Sequence, residues 1–188
     1  MAKAPLPTPA MLRQLLDYDP TTGLLTWRYR TPEALMACGL SVPSNLDQWN
    51  TRLAGKVAFT ADNGRGYRIT TAFGQMLRAH RVAWAMHYDA WPDAMLDHIN
   101  GDRADNRIAN LRLSNFVENG RNARISVANK SGQTGVVWVK RISKWRAKIT
   151  VNSKRIELGE FDLYRDAVRA RKNAEKVHGF SPNHGRAR

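Results

Sequence analysis

Residues 97–122 read DHINGDRADNRIANLRLSNFVENGRN, and the reading of the whole chain turns on them. An Asp-His pair, six asparagines and several turn-forming residues fall in one short unit, a composition for a polar site rather than for a core. Asn100 to Asn106 form a turn-rich loop in which glycine and asparagine tolerate positive φ. Ile108, Leu111 and Leu113 then bracket Asn110 and Arg112, which predicts a short strand and a hairpin around the loop. Asn115 followed three residues later by Glu118 is a variant capping box. It predicts a helix that carries Asn119 and Asn122 on neighbouring positions of one face.

Neighbours on a strand point to opposite faces, so Asp97 and His98 cannot share one role. A carboxylate and an amide oxygen are hard ligands suited to Mg²⁺ or another divalent ion, with water and a phosphate filling the other positions. A neutral imidazole suits a general base that takes a proton from an attacking water. Together these groups would hydrolyse a phosphodiester, with one metal stabilising the charge that develops on phosphate and leaving group. Asn100, Asp102 and Asp105 also suggest a calcium loop, but the acidic residue that closes an EF-hand loop is absent.

The blocks DHINGD, DNR, NLR and ENGRN, in that order, resemble the HNH endonucleases, the ββα-metal nucleases common in phages and mobile introns. The AHR, W and WP elements just before DHINGD extend the resemblance upstream to about residue 10. The resemblance implies that Asp97 is the first metal ligand, His98 the general base, Asn110 the brace of the hairpin loop and Asn119 the second metal ligand. Asn122 is the less favoured choice for that ligand. Where other members have a third His at the helix, this chain offers Asn, which still supplies an oxygen. The implied cofactor is a divalent metal, Mg²⁺ first and Mn²⁺ as an alternative. Arg107 is read as a loop-stabilising residue that also has a phosphate within its repertoire.

Charge narrows the partner. The 188 residues hold 30 Lys plus Arg against 16 Asp plus Glu, a net of +14 that points to a polyanion. Residues 1–120 carry a net of +2 and residues 121–188 a net of +12, so the carboxy-terminal third holds the electrostatic footprint. Cys38 is the single cysteine, which excludes a disulfide and a cysteine-based zinc site; no zinc is expected. No apolar run is long enough for a membrane span or a signal peptide, so the expectation is a soluble, cytoplasmic protein, in a bacterial host if phage-encoded. Neither a membrane nor a small-molecule substrate is expected as partner, and a monomer is favoured over a dimer.

Along the chain, Pro5, Pro7 and Pro9 predict an extended, poorly ordered arm. Met11, Leu12, Leu15 and Leu16 predict a helix ending near Asp19-Pro20. A turn at Thr21 to Gly23 leads into LLTWRYR, a strand with Trp27 and Tyr29 together on the core face. Residues 31–50 show no clean period. AGKVAFT and GYRITTAFGQMLRAHR, with turns at Asp62 to Gly66 and Phe73-Gly74, predict a small antiparallel sheet. HRVAWAMHYDAW predicts a helix packed on that sheet, with His80 as a satisfied structural histidine.

Residues 121–130 read as a linker in which Arg121, Arg124 and Lys130 follow phosphates. TGVVWVKR, KWRAKITV and RIELGEF then predict three strands, with Trp145, Ala147, Ile149 and Val151 on an apolar face and Arg146 and Lys148 on a basic one. Ile156 and Leu158 are read as inward, and a helix at 163–177 covers the apolar side with Ala167, Val168, Ala170, Ala174 and Val177, leaving Arg171 largely wet. The TGV, KWRAKI, LGEFD and Y-AV-A pieces resemble the APETALA-two or ethylene-response-factor DNA-binding domain over about residues 130–179, although Val137 and Val139 stand where basic readers are expected. The sheet face with Arg141, Lys144, Arg146, Lys148 and Arg155 is accordingly read as binding double-stranded DNA. Trp138 and Trp145 on the core face argue against RNA. The tail after Gly179 is read as disordered.

The expected fold is α+β. It comprises an amino-terminal helix and sheet region plus a ββα-metal core at about 80–122, within residues 1–120, a linker at 121–130, a three-stranded antiparallel sheet on one helix at 131–179, and a tail at 180–188. The expected function is that of a metal-dependent, homing-type endonuclease that nicks DNA where its carboxy-terminal domain directs it. The alternative is a catalytically silent DNA-binding regulator.

Overall fold

A computed structural model describes residues 5–186. The chain is α+β and divides into two compact units between Leu113 and Ser114. Among the described residues no helix is long and apolar enough to cross a membrane.

In the first unit the Thr8 hydroxyl accepts from Met11 N–H and Pro9 occupies the first turn, where its missing N–H costs nothing, and helix α1 (Pro9–Leu15) begins. The expected arm is docked rather than loose: Pro5 C=O accepts from Gln75 Nε2 and Pro7 C=O from Trp91 Nε1 at 2.7 Å. Residues 1–4 of that arm lie outside the described residues. Helix α1 stops four residues before Asp19, short of the expected boundary, because Leu16–Tyr18 form strand β1, antiparallel to β2 (Leu25–Trp27). Leu12, Leu15 and Leu16 are all fully buried, so helix and strand periods both fit this apolar run. Strand β2 ends at Trp27, which is buried, whereas Tyr29 beyond it is 65% exposed and does not join the core face.

Residues 31–50 supply helix α2 (Pro32–Ala37), capped by Thr31, and the start of α3 (Leu46–Leu53). Trp49 on α3 meets Trp27 edge-on at 5.5 Å, and the Arg30 guanidinium lies 3.5 Å from the Trp49 ring centroid. Burial there pulls the Arg30 pKa down to about 10. AGKVAFT is not a strand; Val57 makes one isolated bridge to Thr26, while Ala58 and Phe59 enter the core.

Strands β3 (Ala61–Asp62), β4 (Arg68–Ala72) and β5 (Gln75–Arg78) form the expected antiparallel sheet. Phe73 and Gly74, at φ 54° and 68°, make the tight β4–β5 turn. Helix α4 (Ala79–Tyr88) follows at once and buries Val82, Ala83, Ala85 and Met86. Strand β6 (Met95–His98) then pairs with β7 (Leu111–Ser114).

In the second unit, helix α5 (Phe116–Arg121) opens on the expected capping box, with Glu118 N–H donating to Asn115 Oδ1 and Asn115 N–H to Glu118 Oε2. Strands β8 (Val136–Val139), β9 (Lys144–Val151) and β10 (Lys154–Phe161) form a sheet in the order β10-β9-β8, and α6 (Tyr164–Val177) packs on it. Val136, Ala147 and Ala167 are the buried centre, with Trp145, Leu158, Phe161 and Val168 around them.

Five expectations are corrected here. Trp138, on the edge strand, is 45% exposed and meets Trp145 edge-on, ring to ring at 5.3 Å. A register shift between Glu157 and Gly159 breaks the alternation of β10 and leaves Ile156 exposed. Val177 lies in the last turn of α6 and is 79% exposed, whereas Arg171 is 4% exposed, because the chain end folds back over it. That end is the tail read as disordered: Ser181 N–H donates to Arg121 C=O, Gly185 N–H to Ala123 C=O, and Ile125 N–H to Arg186 C=O. The linker and the tail order one another. Residues 187–188 of the tail lie outside the described residues.

Candidate active site

Strand β6 delivers Asp97 and His98, and the loop that follows is held by asparagines. Asn110 Oδ1 accepts from Asn100 N–H at 2.9 Å, and Asn110 Nδ2 donates to Asp105 C=O at 2.9 Å, so one side chain ties both ends of the loop. Its backbone carbonyl accepts from Ile99 N–H, which closes the hairpin. Asn100 Nδ2 donates to Asp105 Oδ2, Asn100 Oδ1 accepts from Asp102 N–H, and Asp102 Oδ1 accepts from Ala104 N–H. The oxygens that suggested a calcium loop are thus used to shape it. Arg107 grips Asp105 through Nε and Nη2 at 2.8 and 2.6 Å. That grip is the main reason the Asp105 pKa falls to about 2.

Asp97 and His98 point to different neighbours, as their adjacency on a strand requires. The Asp97 carboxylate is nearly buried and receives Arg112 Nη2 at 2.9 Å across the hairpin. His98 is 3% exposed; its ring meets His80 edge-on at 5.2 Å and Tyr67 at 5.9 Å. Burial lowers the His98 pKa, and the Asn106 side chain and the carboxylates of Asp97, Asp102 and Asp105 only partly offset it. The imidazole is therefore neutral at neutral pH, the form a general base needs.

Tyr67, His80 and His98 come from β4's approach, α4 and β6, and stack as one aromatic group. Two exposed guanidiniums lie over the Tyr67 ring, Arg103 at 4.8 Å and Arg78 at 5.7 Å from its centroid. Sequence reading missed Tyr67, Arg78 and Arg103, because no spacing links positions so far apart; the one local signal was the cluster of arginines in LRAHR.

In the second unit, Asn119 is exposed on α5, whereas Asn122 is buried and its C=O and Oδ1 accept from Arg186 Nη1 at 2.8 and 3.2 Å. Arg121 lies 5.6 Å from the Phe180 ring and Arg124 is exposed. The polar face of the sheet is less basic than the sequence suggests. Glu160 pairs with Arg146 at 2.7 Å, Asp162 with Lys144 at 3.3 Å, and Glu157 stands opposite Lys148 across the strands. Arg141 and Arg155 are exposed.

Among the described residues no three His, Cys, Asp or Glu side chains gather to hold an ion. The donor suited to a hard cation in the first unit is Asp97, and Arg112 already shares its Oδ2. One carboxylate, with the remaining positions left to amide oxygen, water and phosphate, is a set that Mg²⁺ accepts. The residues fit a divalent ion of that kind and do not fit a closed zinc site.

Residues 77–121 match the family of HNH endonucleases. The chain is also similar to Protein 3.8 of Escherichia phage T7, 30% identical over 103 residues that cover 54% of this chain and 85% of the relative. No solved structure matches.

Proposed function

We propose that this chain, a member of the family of Escherichia phage T7 Protein 3.8 that carries an HNH endonuclease domain at residues 77–121, is a metal-dependent DNA endonuclease. The observation that carries the reading is His98, buried and neutral on β6 beside a carboxylate, with its loop braced by Asn110. The neutral His98 ring takes the proton from an attacking water. Asp97 would hold the ion, and the motif order makes Asn119, exposed on α5, rather than the buried Asn122 the residue that would serve as second ligand. A divalent ion, Mg²⁺ or Mn²⁺, would supply charge stabilisation on the phosphate and leaving oxygen. Asn110 keeps the hairpin in the geometry that presents Asp97 and His98.

Phosphodiester chemistry is blind to sequence, so a separate reader is needed. We assign that role to the second unit, through Arg155 and Lys148 on the sheet, Arg141 in the 3-10 turn that joins β8 to β9, and Arg121 and Arg124 before the sheet, with Arg146 and Lys144 available once they leave their carboxylates. A homing-type enzyme that nicks one strand of double-stranded DNA is the specific form proposed, since one His98 serves one strand. A silent DNA-binding regulator is the second reading, favoured by the Arg112–Asp97 ion pair, which occupies the carboxylate a metal needs. Incubation of supercoiled plasmid with Mg²⁺ or with EDTA separates the two. Nicked circles formed only with Mg²⁺ support the nuclease, whereas intact plasmid in both, with binding retained, leaves the regulator.

A further inference from the structure

We propose that Arg78 and Arg103 form a phosphate-binding site over Tyr67 that holds the DNA strand beside the reacting phosphodiester. The proposal rests on the nuclease reading and extends it to residues outside the metal and base positions. Most arginines near the hairpin are spoken for: Arg107 is bound to Asp105 and Arg112 to Asp97. Arg78 and Arg103 are exposed and, among the described residues, have no carboxylate within ion-pair distance. Both instead place their guanidinium carbons over the same ring, at 5.7 and 4.8 Å from its centroid.

Cation–π contact holds a guanidinium without using its N–H donors, so the donors stay available for an anion. Two cations at 4.8 and 5.7 Å from one ring centroid repel each other, and an anion bound by both offsets that repulsion. Arg103 is further fixed by Nη1 donating to Arg65 C=O at 2.9 Å. The Tyr67 ring stands 5.9 Å from the His98 ring. One strand of DNA rises about 3.4 Å per nucleotide, so a site one aromatic ring away from the base meets a phosphate one to two nucleotides from the cut. Planar, bidentate recognition of phosphate is the chemistry a guanidinium serves best.

The test measures binding of the full chain to a duplex oligonucleotide in EDTA as a function of KCl, for wild type, the Arg78→Gln/Arg103→Gln pair and the Arg78→Lys/Arg103→Lys pair. The slope of log K against log salt is expected to fall by about 2 in the glutamine pair and to be regained in the lysine pair. A glutamine pair with the wild-type slope overturns the proposal. So does an equal loss in both pairs, the mark of a disturbed hairpin, or the absence of duplex binding by wild type. Cleavage in Mg²⁺ is read separately. A wild type that does not cut, with the slope difference intact, defeats the nuclease reading and leaves the phosphate site standing.

Discussion

Acid should unfold the first unit through His80. This residue, in the first turn of α4, is 4% exposed and packed against Tyr67 at 5.0 Å and His98 at 5.2 Å. Burial, then the neighbouring His98, Arg78 and Arg81, lower its pKa to about 3. The unfolded chain restores an ordinary value of about 6.5, so the unfolded state takes up the proton first as pH falls. The contribution is fully present above about pH 6.5, drains away between there and about pH 3, and changes no further below the folded value. At about 1.36 kcal/mol per unit, the shift corresponds to roughly 5 kcal/mol, a large part of a domain's usual 5–15 kcal/mol. The comparison is with His80→Phe, which keeps an aromatic ring beside Tyr67 and cannot titrate. Because His80 Nδ1 is buried with no hydrogen-bond partner, the phenyl ring abandons no bond at that atom. Urea denaturation in EDTA at a series of pH values should show wild type losing about 1.4 kcal/mol per unit more than His80→Phe within the window, or about 3 kcal/mol by pH 4. Parallel curves would refute the reasoning.

Other predictions follow from single contacts. Gly23 has φ +76°, and a Cβ on it would sit 2.4 Å from Arg107 N and 2.6 Å from the Asn106 carbonyl carbon. Gly23→Ala should therefore destabilise the first unit by about 2–4 kcal/mol in the same denaturation assay, and an unchanged midpoint would contradict the packing. Deleting residues 180–188 removes His184 from the buried Arg171–Glu175 pair and Arg186 from Asn122. Melting of the second unit should shift by on the order of 2 kcal/mol; equal hydrogen exchange in α6 with and without the tail would show that the clasp carries no stability. Arg112→Ala frees the Asp97 carboxylate from a competing cation, so Mn²⁺ titration followed by electron paramagnetic resonance should show about fivefold tighter binding, and weaker binding would oppose the competition.

Local chemistry was the legible part of the chain. The capping box at Asn115 and Glu118, the turn at Phe73-Gly74 and the alternation of Ala147 and Ile149 are written in adjacent residues, and they form as read. Asn110 was singled out by the resemblance to the HNH endonucleases as the brace of the hairpin loop, and it makes the two loop-tying bonds. What escaped reading depends on distant partners. Leu16 satisfies a helix and a strand equally, and only pairing with Trp27 decides for the strand. Arg171 looks wet on a helical wheel until Glu175 and the returning His184 enclose it. Glu157 and Glu160 temper the basic face because they stand across from Lys148 and Arg146, a juxtaposition that the register of β9 and β10 creates. Tyr67, His80 and His98 meet only because α4 follows directly on the sheet that carries Tyr67.

The proposed hydrolysis turns on His98 as the base. Its most direct test is single-turnover cleavage of plasmid in Mg²⁺ by wild type and His98→Ala, with duplex binding of both measured in EDTA. Equal binding is expected, with a cleavage rate lowered by about 10²–10⁴-fold in the variant. Equal cleavage by the two proteins, at equal occupancy of the DNA, would contradict it.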